Sequence, residues 1–199
     1  MQNKLRLTVI IALVISIVST TTVFAQSGRT EAFFKIFASG NYHMRARISG
    51  MDEAISDVET YVRGDRIATI TSTLGQATRM VLRDNKMHVI MDAVKMIMVV
   101  PSDSQPNTGA VETDRMRLTG SGNAAFNGKT LPYEEYSNPE GYKTQYFLDG
   151  NNLAGIRSII PRVGTIDLII LALDQNVPNN VFDIPSGYQV QDMTSFGLF

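Results

Sequence analysis

The stretch YHMRARI, residues 42–48, decides the fold, because apolar and polar side chains alternate along its whole length. Successive side chains of a β-strand point to opposite faces, so this alternation predicts a strand with one face in the core and the other in water. The next stretches along the chain repeat the period of two. The pattern therefore predicts a sheet that starts at this strand.

The same alternation, interrupted by short turns rich in Gly, Asn and Asp, predicts further strands at 57–63, 66–72, 76–83, 87–92, 95–100, 115–119, 131–136, 142–148, 153–160 and 165–173. Such short turns join antiparallel neighbours, since a parallel crossover needs a dozen residues or more. Residues 101–114 predict a polar loop, and Gly-Ser-Gly at 120–122 predicts a flexible turn. The chain is therefore predicted to be mainly β, with a single antiparallel sheet.

One helix is predicted ahead of the first strand. Thr30 can act as its N-cap, with Glu31 in the first turn, and Gly40 is suited to end it. Between these residues lies an apolar stripe with helical spacing, formed by Phe33, Phe34, Ile36 and Phe37. A helix with such a stripe needs an apolar surface to cover.

The first 25 residues resemble a secretory signal peptide. Lys4 and Arg6 precede an apolar run at 7–18, and Ala25 ends a segment suited to cleavage before Gln26. An uncleaved membrane anchor is the alternative, but the run has about 12 residues where a spanning helix needs roughly 20. We expect residues 26–199 to form a single domain that is exported, periplasmic or extracellular, with no stable transmembrane span after cleavage.

Composition excludes several classes of function. The 199 residues contain no Cys, so disulfide frameworks, thiolate metal sites and cysteine nucleophiles are excluded. The net charge of −1 argues against nucleic acid as a partner, because proteins that bind nucleic acids usually carry a clustered basic face.

The sequence lacks recognisable catalytic and metal-binding motifs, which predicts no enzyme, no cofactor and no metal site. His88 and His43 alternate with apolar neighbours and have no accompanying nucleophile, so we interpret both as residues of a polar strand face. Glu134 and Glu135 are adjacent on a predicted strand and must point to opposite faces, so they cannot form a catalytic pair. The sequence has neither an HExxH metal motif nor a GxSxG nucleophile motif.

The apolar faces carry more information. Six of the ten Met residues lie between positions 80 and 116, and methionine adapts to irregular apolar partners. The alternation places one set of side chains on a common apolar face: Met80, Leu82, Met87, Val89, Met91, Met96, Met98, Tyr146, Leu148, Ile156, Leu168 and Ile170. Phe33, Phe34 and Phe37 are predicted to cover part of that face. Arg79, Lys95, Lys143 and Asp167 are assigned to the opposite, solvated face. A soft wall for lipid chains and an ordinary core with Met as filler both fit this pattern.

The layout resembles the bacterial lipoprotein-localisation-factor superfamily and its uncharacterised relatives. The matching stretches are FASGNY (37–42), YVRGDR (61–66), RDNKMHVI (83–90), KMIM (95–98), YFLDG (146–150) and VPNNVFDIPSGY (177–188). The resemblance implies an unclosed, curved half-barrel whose concave apolar face is covered by helices and loops and holds acyl chains or a hydrophobic segment of a partner. The resemblance does not place the arginine that holds the lid in the true carriers, for which Arg45, Arg47, Arg63 and Arg66 are all candidates.

The expected function is a non-enzymatic, extracytoplasmic binding or carrier protein for a lipid acyl chain or a lipidated protein. The alternative is an envelope protein-interaction or stress-sensing module, in which the same concave face receives a polypeptide partner.

Overall fold

Twelve strands form one open, curled sheet in the computed structural model, which describes residues 29–49, 55–73, 76–101, 117–138, 141–161 and 164–193. The predicted signal peptide, Met116 and most of the predicted 101–114 loop lie outside these residues. The sheet is not closed into a barrel. The sequence prediction of a mainly β protein with one open antiparallel sheet and an N-terminal helix is confirmed.

The elements follow one another in this order: α1 (Glu31–Ala38), β1 (Asn41–Ser49), β2 (Ile55–Arg63), β3 (Arg66–Thr73), β4 (Gln76–Arg83), β5 (Lys86–Met91), β6 (Met96–Pro101), β7 (Arg117–Phe126), β8 (Lys129–Ser137), β9 (Lys143–Asp149), β10 (Asn152–Ile160), β11 (Gly164–Asp174) and β12 (Gln189–Asp192). Short 3-10 helices lie at Asp92–Val94 and Asn179–Phe182. None of the helices in these ranges has the length and apolar character needed to cross a membrane.

Two meanders build the sheet. Strands β1 to β6 form one and β7 to β11 the other, and the antiparallel pair of β1 with β11 joins them, so the order is β12-β6-β5-β4-β3-β2-β1-β11-β10-β9-β8-β7. Two-residue turns connect several neighbours. Asp84 and Asn85 have φ values of 52° and 56°, and Asn127 and Gly128 have 45° and 75°. Positive φ at both central residues is the backbone of the hairpin turn whose twist matches that of the sheet.

The two faces of the sheet are defined by the register. Tyr42, Met44, Ala46 and Ile48 of β1 are buried and alternate with more exposed residues. Phe34 and Phe37 of α1 belong to the same buried cluster as these four residues. We call this side of the sheet the helix face and the opposite side the back face.

Two details of the sheet differ from the prediction. Gly120, Ser121 and Gly122 are not a turn but part of β7, which pairs with β8. Gly122 lies opposite Tyr133 in this ladder, and a Cβ on Gly122 would be in ordinary contact with the Tyr133 ring at 3.4 Å. The predicted antiparallel sheet also has one parallel pair, β12 with β6, because the chain crosses the back face before it reaches that edge.

Candidate functional site

All twelve residues of the predicted apolar face lie on the helix face. Tyr42 pairs with Val62 across β1 and β2, and the same row continues through Ile67, Leu82 and Met87. In the other direction Ile48 pairs with Leu168, Leu168 with Ile156 and Ile156 with Tyr146. Residues directly opposite in a ladder share a face. Whether this shared face binds a ligand stays a prediction.

The twelve residues fall into two groups. The first group packs in one cluster with Phe33, Phe34 and Phe37 of α1, and its members are Tyr146, Leu148, Ile156, Leu168 and Ile170. The other seven side chains, from β4 to β6, lie outside that cluster, and we call them the methionine patch: Met80, Leu82, Met87, Val89, Met91, Met96 and Met98. Met80 and Met87 are buried, whereas the remaining five are half-buried. The helix therefore covers one half of its face.

Aromatic rings hold α1 on the sheet. Phe34 contacts Tyr136 and Tyr146 edge to face, with ring centroids 5.4 and 5.0 Å apart, and Phe37 contacts Tyr42 at 5.2 Å. Such contacts add to the free energy of apolar burial. Phe34 and Phe37 therefore pack on rings of β1, β8 and β9, and Phe33 packs against the same cluster. Whether the three act as a lid stays a prediction.

The N-terminus of α1 is held by a carboxylate from the sheet. Thr30 occupies the N-cap position, but its side chain does not cap the helix, contrary to the prediction. Instead, Thr30 Oγ1 donates a 2.6 Å hydrogen bond to Glu134 Oε2. The backbone N–H groups of Arg29 and Thr30 also donate to this carboxylate, at 2.8 and 3.2 Å. Glu134 thus supplies the acceptor and the negative charge that a helix start favours.

The electrostatics of Glu134 follow from these contacts. Burial alone would raise the pKa of its carboxyl. The hydrogen bonds from Thr30, from the backbone of Arg29 and from Tyr136 outweigh burial, so the pKa of Glu134 lies below its ordinary value. The carboxylate is therefore charged at neutral pH. Glu135, its neighbour, accepts hydrogen bonds from Lys143 and Gln145 on the back face, which confirms that the two point to opposite sides.

Two buried hydroxyl groups on the helix face lack hydrogen-bond partners within the described part of the chain. They are Tyr42 Oη and Thr60 Oγ1, on the neighbouring strands β1 and β2. Burial raises the pKa of Tyr42, so this phenol stays protonated and can donate. Sequence reasoning did not single out either residue, because a Thr or Tyr in a strand shows nothing of its tertiary partners.

A cross-strand row connects Thr60 with the methionine patch. Thr60 pairs with Thr69, Thr69 with Met80, Met80 with Val89 and Val89 with Met98. The row is polar at β2 and β3 and apolar from β4 to β6. Its polar end lies beside the strand that α1 contacts, and its apolar end lies at β6.

The back face of β3 to β6 is not solvated, and here the prediction of a solvated opposite face is wrong. Residues 175–188, which we call the C-terminal segment, bring Val177 and Phe182 onto a second buried cluster. Its sheet members are Ala68, Val81, Ile90, Ile97 and Val99. Apolar side chains alternate on both faces of these strands, which is the pattern of strands covered on both sides. Arg79, Lys143 and Asp167 do lie on this face, while Lys95 lies in the turn before β6.

Arginines fasten the C-terminal segment. Arg79 Nη1 donates to the carbonyl oxygens of Val181 and Asp183 at 3.2 and 2.9 Å. Arg63 donates to the carbonyl of Val177 and to Asn179 Oδ1. Bonds from a charged donor to backbone carbonyls are among the stronger protein hydrogen bonds.

None of the four arginines considered for lid holding lies on the helix face. Arg45 and Arg47 alternate with the buried residues of β1, and Arg47 pairs with Asp57 at 2.8 Å. Arg63 binds the C-terminal segment, and Arg66 lies over the Phe182 ring at 5.0 Å. None of the four candidates is therefore placed to hold a lid over the apolar face.

The histidines lie on the back face. His43 Nε2 is 2.8 Å from Glu59 and Nδ1 is 3.2 Å from Asp174, so the ring links three adjacent strands. His88 Nδ1 is buried without a partner among the described residues, and burial lowers the pKa of this side chain. Over the described ranges, no group of three or more His, Cys, Asp or Glu side chains is placed to hold a metal ion.

No protein-family model matches the chain, and no curated protein matches it in sequence. Among solved structures, it is similar to an uncharacterized conserved protein from Thermus thermophilus, with 10% identity, a TM-score of 0.50, and coverage of 82% of this chain and 98% of that one. It also aligns with a LolA superfamily protein from Nitrosomonas europaea, with 10% identity, a TM-score of 0.37 and coverage of 72% and 90%. A DUF1329 family protein from Desulfovibrio piger aligns with 12% identity, a TM-score of 0.36 and coverage of 78% and 94%. The chain thus shares its fold with the Thermus protein.

Proposed function

We propose that the protein is a non-enzymatic, extracytoplasmic binding or carrier protein that holds the acyl chain of a lipid or lipidated protein on its helix face. The observation that carries the proposal is the unequal covering of strands β4 to β6. Their back face is closed by the C-terminal segment, whereas five side chains of the methionine patch on the helix face stay half-buried: Leu82, Val89, Met91, Met96 and Met98.

The chemistry of this surface suits an acyl chain. The patch is continuous across three paired strands, from Met80 and Leu82 on β4 to Met96 and Met98 on β6. Methionine side chains are flexible and polarizable, so they adapt to an apolar ligand without a fixed shape. A contiguous apolar surface that the fold leaves half-buried is a frequent sign of a ligand groove.

Export is part of the proposal. It rests on the signal-peptide pattern of residues 1–25 in the sequence. An exported protein of this kind meets lipids and lipidated proteins outside the cytoplasm.

Substitution of patch methionines tests the proposal. We expect Met91→Ala and Met98→Ala to weaken binding of a diacylglycerol that bears a pyrene-labelled acyl chain, with little loss of stability, because both side chains are half-buried. Met44→Ala is the matched control. Met44 is fully buried in the cluster around α1, so its truncation should cost about 2–5 kcal/mol.

Two results together would overturn the proposal. They are destabilisation of Met91→Ala and Met98→Ala by as much as Met44→Ala, and failure of the parent protein to bind the labelled lipid. The methionine patch would then be an ordinary part of the core.

A further inference from the structure

We propose that the helix face selects lipids that carry an acyl ester, and that the hydroxyl groups of Tyr42 and Thr60 recognise the ester carbonyl. This inference rests on the proposed function and names the ligand class of the same site. It is carried by the two buried hydroxyls, by their position in the sheet and by the absence of cationic side chains on the described part of this face from β1 to β6.

The two hydroxyls have unused capacity to donate hydrogen bonds. Both residues are fully buried, and neither hydroxyl has a partner among the described residues. A buried polar group without a partner costs about 1–3 kcal/mol. Buried side-chain polar atoms are satisfied in the large majority of cases, so each exception calls for an explanation. A pair of such exceptions on one face points to a ligand acceptor.

The two hydroxyls belong to neighbouring positions of the sheet. Tyr42 pairs with Val62 and Thr60 pairs with Met44 in the ladder of β1 and β2, so Tyr42 and Thr60 are diagonal neighbours on the helix face. Diagonal neighbours are about 7–8 Å apart, within reach of a long side chain such as tyrosine. The two hydroxyls therefore lie in the same part of the helix face, where the ester end of one lipid would be placed.

The row that begins at Thr60 then provides a path for the chain attached to that carbonyl. It continues through Thr69, Met80, Val89 and Met98. Four strand spacings at about 4.8 Å each give a length of about 19 Å, comparable with an extended long acyl chain. The row therefore has a polar end for the ester and an apolar end for the hydrocarbon.

The charge of the face favours a neutral ester over a free fatty acid. The residues with described side chains that share this face on strands β1 to β6 are apolar apart from threonine and tyrosine hydroxyls. Arg45 and Arg63, the nearest arginines in sequence, belong to the back face. Among the described side chains of β1 to β6 on this face, none is a cation that could compensate a carboxylate buried beside Tyr42, and burial of an unpaired charge is costly. An ester carbonyl needs only a neutral donor.

A matched pair of lipids tests the inference. Dipalmitoylglycerol and its diether analogue, dihexadecylglycerol, have the same chains, but the diether lacks both carbonyls. We expect the parent protein to bind the diester roughly five- to tenfold more tightly, as one or two net hydrogen bonds provide. The double variant Tyr42→Phe/Thr60→Val should lose this preference while its affinity for the diether stays unchanged. Tyr133→Phe, on the back face, should keep it.

Stability provides a second readout. Removal of two unsatisfied buried hydroxyls should leave the ligand-free double variant at least as stable as the parent. A marked loss of stability would show that the hydroxyls serve the core, and would overturn the inference.

Equal affinity of the parent for diester and diether would overturn ester recognition and leave the carrier proposal standing, whereas binding of neither lipid would overturn the carrier proposal itself. A peptide with a diacylglyceryl cysteine, added as a third competitor, separates the two sources of the same ester: tighter binding than dipalmitoylglycerol supports recognition of a lipidated protein, and equal or weaker binding supports a free lipid.

Discussion

The ring of Phe126 lies directly over Gly155 on the back face. A Cβ at position 155 would come within 2.1 Å of Phe126 Cζ and within 2.7 Å of the Leu168 carbonyl oxygen. Phe126 in turn stacks on Phe147, with centroids 4.3 Å apart. The glycine thus lets a third buried cluster, formed around Phe126, Leu131 and Phe147, pack against the sheet.

We therefore predict that Gly155→Ala destabilises the protein by about 1–3 kcal/mol, the usual cost of overpacking a close contact. Chemical denaturation measures the change. Gly120→Ala is the control, since a Cβ there would have its nearest neighbour at 4.0 Å. Equal stability of the two variants would contradict the packing described for Phe126.

Glu134→Gln should loosen α1. The variant keeps the size of the side chain but loses the charged carboxylate that accepts hydrogen bonds from Thr30 and Arg29. We expect it to lower the free energy of unfolding by about 1–3 kcal/mol at pH 7. Amide exchange of residues 31–38 should rise in this variant and stay unchanged in Glu135→Gln, whose side chain faces the back. If exchange in α1 does not respond, the carboxylate does not anchor the helix.

The same contact makes stability depend on pH in a known direction. Because the pKa of Glu134 is lowered from 4.5 in the folded protein, its contribution is fully present above that value and is lost as the pH falls through the lower folded pKa. The difference in unfolding free energy between the parent and Glu134→Gln should therefore shrink on acidification. A constant difference between pH 7 and pH 3 would contradict this linkage.

His88 should make the stability of the fold depend on pH in a second, higher range. Burial, followed by the charges of Lys86 and Arg83, lowers its pKa from 6.5. The unfolded chain then binds a proton more readily than the folded one, so stability is fully present above 6.5 and falls below it. His88→Leu should become more stable relative to the parent as the pH drops from 7 to 5. Parallel stability profiles would contradict the prediction.

Arg79→Met should release the C-terminal segment. Loss of its bonds to Val181 and Asp183 should raise amide exchange at β6 and β12, with a cost in stability of about 1–3 kcal/mol. Arg45→Met, at an exposed position of β1 on the same face, should change neither. An unchanged exchange rate at β6 in Arg79→Met would show that other contacts suffice.

Local alternation was enough to predict most of the strands and the face to which their side chains point. The opposite orientation of Glu134 and Glu135 follows from the strand period alone, and the structure confirms it. The prediction failed where the outcome depends on distant residues. Gly120 and Gly122 have the composition of a turn, but both pair with β8 in the sheet, opposite Glu135 and Tyr133. Strand β12 pairs in parallel only because the preceding segment crosses the back face.

In the candidate site, too, some features follow from local alternation and others depend on distant residues. Apolar periodicity is enough to assign the residues of the methionine patch to one face, but it cannot show which half of that face α1 covers. The anchor at Glu134 and the unsatisfied hydroxyls of Tyr42 and Thr60 depend on partners, or on the lack of them, in the folded chain. Polar residues of these types are common in strands, so their sequence positions carry no such signal.

Native mass spectrometry of the protein purified from its exported form tests the central claim most directly. We predict that a mass increment of one acyl lipid accompanies the parent protein and is recovered by lipid extraction. Met91→Ala/Met98→Ala should carry less of it, while a back-face variant such as Tyr133→Phe should carry as much as the parent. A parent protein with the mass of the bare chain, from which no acyl lipid can be extracted and which takes up none when lipid is added, would contradict the account.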